Sequence, residues 1–113
     1  MTVDEAVEAI ARHLSAGERR EAVLACDDLD DAVLIEGSFS PRAFSLFVEM
    51  LRSPGFGDGP AAWRVLKAIE NNCAQFSPEQ RRELEGIVHA LRAQATDGMA
   101  RYMAQELIIR SFG

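Results

Sequence analysis

The residues best placed to do chemistry form an acidic run in the first third of the chain. Asp27, Asp28, Asp30 and Asp31 fall within five positions, and Glu36 follows shortly after. Carboxylates this close repel one another, so they either face water, hold a calcium ion or meet a cationic surface. A calcium loop needs glycine at its sixth position and glutamate at its twelfth, and this run supplies neither. The run therefore predicts either a solvated helix end or a patch that binds a basic partner.

Other chemistry-bearing residues are too scattered to form a site in the sequence. His13, Cys26, Cys73 and His89 could ligate zinc, but zinc ligands come in pairs two to four residues apart. Both cysteines fall on apolar helix faces, where a thiol acts as a small hydrophobe. We predict no catalytic residue, no metal and no cofactor, and an enzyme is the least favoured class.

Phe56 lies at the centre of the glycine-rich loop 53–59. This loop lacks the lysine and the preceding strand of a phosphate-binding loop. Its aromatic ring either folds back over the neighbouring helices or stays exposed as an anchor for a partner. Phe56 is therefore the sixth candidate partner-binding residue, after the five carboxylates.

The charge of the chain is concentrated at one end. Residues 1–36 carry ten acidic side chains and three arginines, a net charge of −7, whereas residues 37–113 carry eight acidic and nine basic ones, a net charge of +1. This field disfavours nucleic acid and anionic membranes as partners and favours basic proteins. Residues 1–20 lack the pattern of a signal peptide, and no apolar stretch approaches the ~20 residues of a membrane span, so we expect a cytoplasmic protein.

Two segments occur twice in the chain. Phe-Ser-Pro stands at 39–41 and again at 76–78, an offset of 37 residues, and Asp-Gly stands at 58–59 and again at 97–98, an offset of 39. The second pair brings Trp63 and Tyr102 into equivalent positions, which we predict to be in the core. Offsets of this size are the length of one helical hairpin, so they predict a stack of helix pairs.

The first third of the chain predicts a hairpin that differs from the other two, because no Phe-Ser-Pro segment precedes it. Capping boxes at 2–5 and 15–18 predict the starts of two helices, the second of which should end near Asp28. The apolar run 32–35 fits a helical turn or a short strand, and we favour a short helix that ends at Gly37.

The predicted fold is all-α, with five to seven helices in hairpins at about 2–28, 40–75 and 77–112. A closed helical bundle is the alternative. Units of 37–39 residues whose second helix opens with Asp-Gly resemble HEAT-like or armadillo-like helical repeats, chiefly over residues 40–112. That resemblance implies partner binding by one face of the stack, and no catalytic residues carry over from it.

In size, charge and helicity the chain also resembles small acidic bacterial immunity proteins. This resemblance implies that it blocks a basic, nuclease-like toxin, with the acidic run as the contact. The alternative is a regulatory or scaffold adaptor that binds through Phe56 or through the apolar last helix, which contains Leu107, Ile108 and Phe112. The same helix predicts a homodimer as a further partner class.

Overall fold

The computed structural model describes residues 1–53 and 62–112, and every regular element in these two ranges is helical. The predicted all-α class and the predicted number of helices are confirmed. A short 3-10 helix at Cys73–Gln75 follows the fourth α-helix. The α-helices are α1 (Val3–Ser15), α2 (Arg19–Glu36), α3 (Pro41–Arg52), α4 (Ala62–Asn72), α5 (Pro78–Gln94) and α6 (Gly98–Ser111).

Most helices begin where the sequence has a start signal. The Thr2 hydroxyl accepts from the Glu5 amide, and the Glu5 carboxylate accepts from the Thr2 amide in return. Ser77 and Gln80 repeat this arrangement at α5, and the Asp97 side chain caps α6. Both Phe-Ser-Pro segments place proline in the first helical turn, where its missing N–H is not needed. The two Phe-Ser-Pro segments are therefore repeated helix starts, whereas the helix start predicted at Asp58-Gly59 lies outside the described residues.

The helix predicted to end near Asp28 does not end there. α2 is one continuous helix to Glu36, so residues 32–35 are helical and the helix ends at Gly37 as predicted, but they belong to α2 and do not form a separate short helix. No glycine or proline interrupts it, and Leu29 and Ala32 continue its buried face past the aspartates. Gly37 ends the helix in a left-handed conformation, with φ of +70°, which glycine adopts without steric cost. Burial of the apolar face thus outweighs the repulsion between neighbouring carboxylates.

The capping box predicted at 15–18 is also wrong. Ser15 is the last residue of α1, and Gly17 turns the chain with φ of +74°. Glu18 precedes α2 without a side-chain capping bond, and its carboxylate lies 3.1 Å from His13 Nδ1 instead. The pattern placed the cap too early because α1 runs through the serine that was expected to start the next helix.

The helices form two layers. α1 packs on α2, α3 on α4 and α5 on α6, which gives three consecutive hairpins. Contacts between hairpins run from α1 to α3 to α5, here called the odd layer, and from α2 to α4 to α6, here called the even layer. The core lies between the layers. The Phe39 and Phe76 rings meet edge to face at 5.4 Å, so the two Phe-Ser-Pro segments contact each other.

Trp63 and Tyr102 do not occupy the core, and this prediction is wrong. Trp63 is half-buried, with the Arg64 guanidinium 4.8 Å from its ring centroid, and Tyr102 is 56% exposed. The inner face of α6 consists of Ala100 and Ala104 together with Leu107, all of which are fully buried. The small side chains let α6 lie close to its neighbours, and the tyrosine ring is left on the outer side.

Candidate partner-binding surface

The five predicted carboxylates lie on or at the end of α2, but they divide between two roles. Three of them are engaged within the chain. Asp27 accepts a hydrogen bond of 2.8 Å from the Arg64 guanidinium on α4. Glu36 accepts from the Val3 amide at 3.0 Å, so it satisfies a free N–H at the start of α1. These two carboxylates tie α2 to its neighbours.

Asp30 is the most enclosed member of the run. One carboxylate oxygen accepts from Asn72 Nδ2 at 2.8 Å and the other from Asn71 Nδ2 at 3.1 Å. Asn72 is only 2% exposed, and its amide also donates to the Ala68 carbonyl at 2.7 Å. Burial raises the pKa of Asp30, while the two amide donors act in the opposite direction. Asp30 is therefore held by a small polar network between α2 and α4.

Asp28 and Asp31 behave differently. Both are exposed, and neither has a hydrogen bond or an ion pair with any residue in the described ranges. They alternate with Leu24 and Ile35 at helical spacing, so all four side chains lie on one side of α2. This side points away from the core.

Apolar side chains border these two carboxylates. Leu34 and Ile35 are each 83% exposed, and Leu24 is 45% exposed. Large apolar residues at such exposure in one place are typical of a surface that contacts another molecule. We call the outer side of this helix the α2 face, and it consists of Leu24, Asp28, Asp31, Leu34 and Ile35.

A cleft of about 550 Å³ adjoins the α2 face on the side of α4. Carboxylate and amide groups from both helices and the 3-10 helix line it, and Leu34 forms an apolar edge. Its polar lining includes Asp30, Asp31, Asn71, Asn72 and Gln75. Such a lining is rich in oxygen acceptors, which suit ammonium and guanidinium groups.

The exposed large apolar side chains of the described helices belong to one layer. Within the described helices, every exposed large apolar side chain lies on α2 or α6, the outer helices of the even layer. On α6 these are Met99, Tyr102 and Ile109, at 50%, 56% and 62% exposure. The predicted apolar run on this helix divides between environments, because Leu107 is fully buried and only Ile109 is exposed. The even layer therefore carries the candidate binding surfaces.

The remaining candidates give no reactive site in the described parts of the chain. Cys26 and Cys73 are buried free thiols, and burial raises the pKa of Cys26 to about 12. The described residues contain no group of three His, Cys, Asp or Glu side chains that could hold a metal ion. None of the helices described has both the length and the apolar character needed to cross a bilayer. Phe56 lies outside the described residues and stays a prediction.

Sequence reasoning found the carboxylates but missed the apolar half of the α2 face. Leu34 and Ile35 could not be placed on one face with Asp28 and Asp31 because the helix was expected to end near Asp28. With α2 extended to Glu36, their spacing to Asp28 and Asp31 follows from 3.6 residues per turn. Comparisons of this chain with known protein families, characterised proteins and solved structures find no match.

Proposed function

We propose that this chain is a non-enzymatic protein-binding module whose α2 face docks a basic and partly apolar segment of another protein. The observation that supports this most is that exposed carboxylates and exposed apolar side chains lie side by side on that face. Asp28 and Asp31 have no partner within the described residues, and they lie between the exposed side chains of Leu24 and Ile35. The carboxylates attract cations, and the apolar side chains gain by leaving water.

Charge on the whole chain favours the same class of partner. The net charge is −6, and residues 1–36 supply all of the excess. A field of this sign raises the rate at which a basic protein encounters the chain, and it repels nucleic acid and anionic lipid. The cleft beside Asp31 supplies room for a long cationic side chain near the Asp30 carboxylate. The net negative charge therefore attracts a basic protein at long range, and the oxygen acceptors of the cleft bind its cationic side chains at short range.

Inhibition of a basic, nuclease-like toxin is the specific role that we propose for this module. The cationic mouth of a nuclease binds phosphate, so an acidic surface placed over that mouth competes directly with the substrate. A cytoplasmic location belongs to this proposal, since the toxin would act there. The stack of hairpins also fits the resemblance to HEAT-like repeats, which hold partners on one face of the stack.

A designed helical peptide of leucine and lysine provides the first test. We expect it to bind more tightly than the same peptide with glutamine in place of lysine. The double variant Asp28→Asn/Asp31→Asn should bind about fivefold more weakly, because two exposed ion pairs are together worth about 1 kcal/mol. The measurement is fluorescence anisotropy of the labelled peptide, with circular dichroism as a check on folding.

A matched control removes the same charge from the odd layer. The double variant Asp4→Asn/Glu49→Gln changes two exposed carboxylates of α1 and α3 and should keep its affinity within about twofold. An equal loss in both double variants would show that only the overall charge matters. A rise in salt from about 0.01 M to about 1 M shortens the Debye length from about 30 Å to about 3 Å. If the affinity stays the same over this range, the result favours the apolar adaptor instead.

The inhibitor role needs a test of its own. The probe is the toxin domain of a secreted protein encoded beside this chain, expressed in cells with or without it. We expect co-expression to protect growth and Asp28→Asn/Asp31→Asn to lose that protection. A neighbouring reading frame without a secreted toxin would remove the immunity role but leave the binding module standing.

A further inference from the structure

The outer side of α6 carries an apolar stripe with almost no free charge. Met99, Tyr102 and Ile109 are at least half exposed there, and Glu106 lies between them on the same side. The Glu106 carboxylate is already paired with Arg110 Nε at 3.0 Å, and Arg110 also lies 3.9 Å from Glu70. This stripe therefore offers apolar contact and little electrostatic attraction, unlike the α2 face.

We infer that the α6 stripe, defined as Met99, Tyr102, Glu106 and Ile109, is the contact between two copies of this chain. Two-fold symmetric contacts require a surface that is complementary to itself. The α2 face fails this condition, because a second copy would bring its aspartates against the same aspartates. The α6 stripe meets it more closely, because its one carboxylate, Glu106, is already paired with Arg110 of the same chain.

The order of residues along α6 fits an antiparallel pairing in one register. When two α6 helices run in opposite directions about a two-fold axis that lies outside the helix at the level of residue 104, Met99 of one copy opposes Ile109 of the other. In the same register Tyr102 of one copy opposes Glu106 of the other. The phenol hydroxyl of tyrosine can then donate to a carboxylate, as buried tyrosines usually require. Apolar groups meet apolar groups, and the one donor meets the one acceptor.

The position of α6 in the stack keeps the repulsion between copies low. α4 lies between α2 and α6 in the even layer, so the acidic third of the chain is the part furthest from this contact. Three large side chains cover less than the roughly 800 Å² per partner of a standard interface. The dimer should therefore be weak and reversible, and salt should strengthen it slightly by screening the net charge of −6 on each copy.

Sedimentation equilibrium over a wide concentration range tests the dimer. We expect the mean mass to rise from the 12.4 kDa of one chain toward twice that value, and Ile109→Glu should raise the dissociation constant more than tenfold. Leu34→Glu on α2 changes an even more exposed residue and should leave the dimer intact. A monomer at every concentration would overturn the inference, as would a dimer that Leu34→Glu disrupts and Ile109→Glu does not.

Cysteine cross-linking tests the register separately from the strength of the contact. Met99→Cys and Ile109→Cys lie about 15 Å apart along one helix, too far for a disulfide within the chain. We expect a mixture of the two single variants to form a covalent dimer under mild oxidation, and each variant alone to stay largely uncoupled. Efficient coupling of Met99→Cys with itself would contradict the antiparallel register. Neither experiment involves the basic peptide, so this inference can fail while the proposed function stands.

Discussion

Replacing Asp30 tests the polar network that joins α2 to α4. Asp30→Ala removes the carboxylate that accepts from Asn71 and Asn72, whereas Asp30→Asn keeps an oxygen acceptor in the same place. The exposed Asn71 side chain can turn to water or rotate to meet the new amide. Asn72 cannot, because it is 2% exposed and its remaining hydrogen bond is already made to the Ala68 carbonyl. The comparison therefore isolates one buried N–H.

The cost follows from the surroundings of that N–H. Leaving a buried donor unpaired costs about 1–3 kcal/mol. The adjoining cleft of about 550 Å³ can admit water where the carboxylate was, which places Asp30→Ala near the lower end, at about 1 kcal/mol. Asp30→Asn should stay within about 0.5 kcal/mol of the parent chain at neutral pH, since its acceptor remains and no charge is buried.

The two variants should also differ in their response to pH. Burial raises the pKa of Asp30 in the folded chain above that of an unfolded chain, so the folded state binds the proton more tightly. The stability that this group contributes is fully present below its unfolded pKa of about 3.9, and it is lost as the pH rises through the folded pKa. Asparagine resembles the protonated side chain at every pH. Asp30→Asn should therefore gain stability relative to the parent chain as the pH rises above the ordinary carboxyl pKa of about 4.

Urea unfolding followed by circular dichroism measures both effects. At neutral pH we expect Asp30→Ala to unfold with about 1 kcal/mol less free energy, or a melting temperature lower by about 4 °C. An alanine variant as stable as the parent, beside a clearly weakened asparagine variant, would refute the role given to Asn72. An asparagine variant that loses stability relative to the parent chain as the pH rises would refute the effect of burial on the pKa of Asp30.

Two further predictions concern side chains that are engaged or buried within the chain. Glu36→Ala should lower the free energy of unfolding by about 1 kcal/mol, because it leaves the Val3 amide at the start of α1 without its partner. Urea unfolding measures this loss, and Glu21→Ala, which changes a solvent-exposed residue of the same helix, is the control. Cys26 should react with a thiol reagent at neutral pH only at the rate of unfolding, because its thiol is buried and its pKa is about 12; rapid labelling of the native chain at this position would contradict that burial.

The fold could be predicted well because its signals are local. Proline after serine, reciprocal capping at Thr2 and Glu5, and apolar residues at helical spacing each fix a helix start or a buried face without knowledge of the rest. The extent of α2 could not be predicted in this way. Its continuation past Asp28 depends on the burial of Leu29 and Ala32 against other helices, which is a property of the assembled core.

The candidate site could be predicted only in part, for a related reason. The acidic run is visible in the sequence, but the partners of each carboxylate come from residues more than thirty positions away. Only the assembled layers distinguish Asp27 and Glu36, which hold the fold together, from Asp28 and Asp31, which face outward. The exposure of Tyr102 was missed because sequence alignment of the two units equates positions without regard to how closely each helix packs.

The acidic half of α2 brings carboxylates close to one another and to the negative end of the helix. The carboxyl end of a helix carries partial negative charge and favours lysine or arginine, yet the last turn of α2 has no basic residue and ends in Glu36. Asp30 and Asp31 add their charge to the same half. These charges oppose the helix at the same end that the buried Leu29 and Ala32 and the hydrogen bond from Val3 to Glu36 hold in place. A bound cation would reduce this repulsion, so a basic partner would stabilise the helical segment to which it binds.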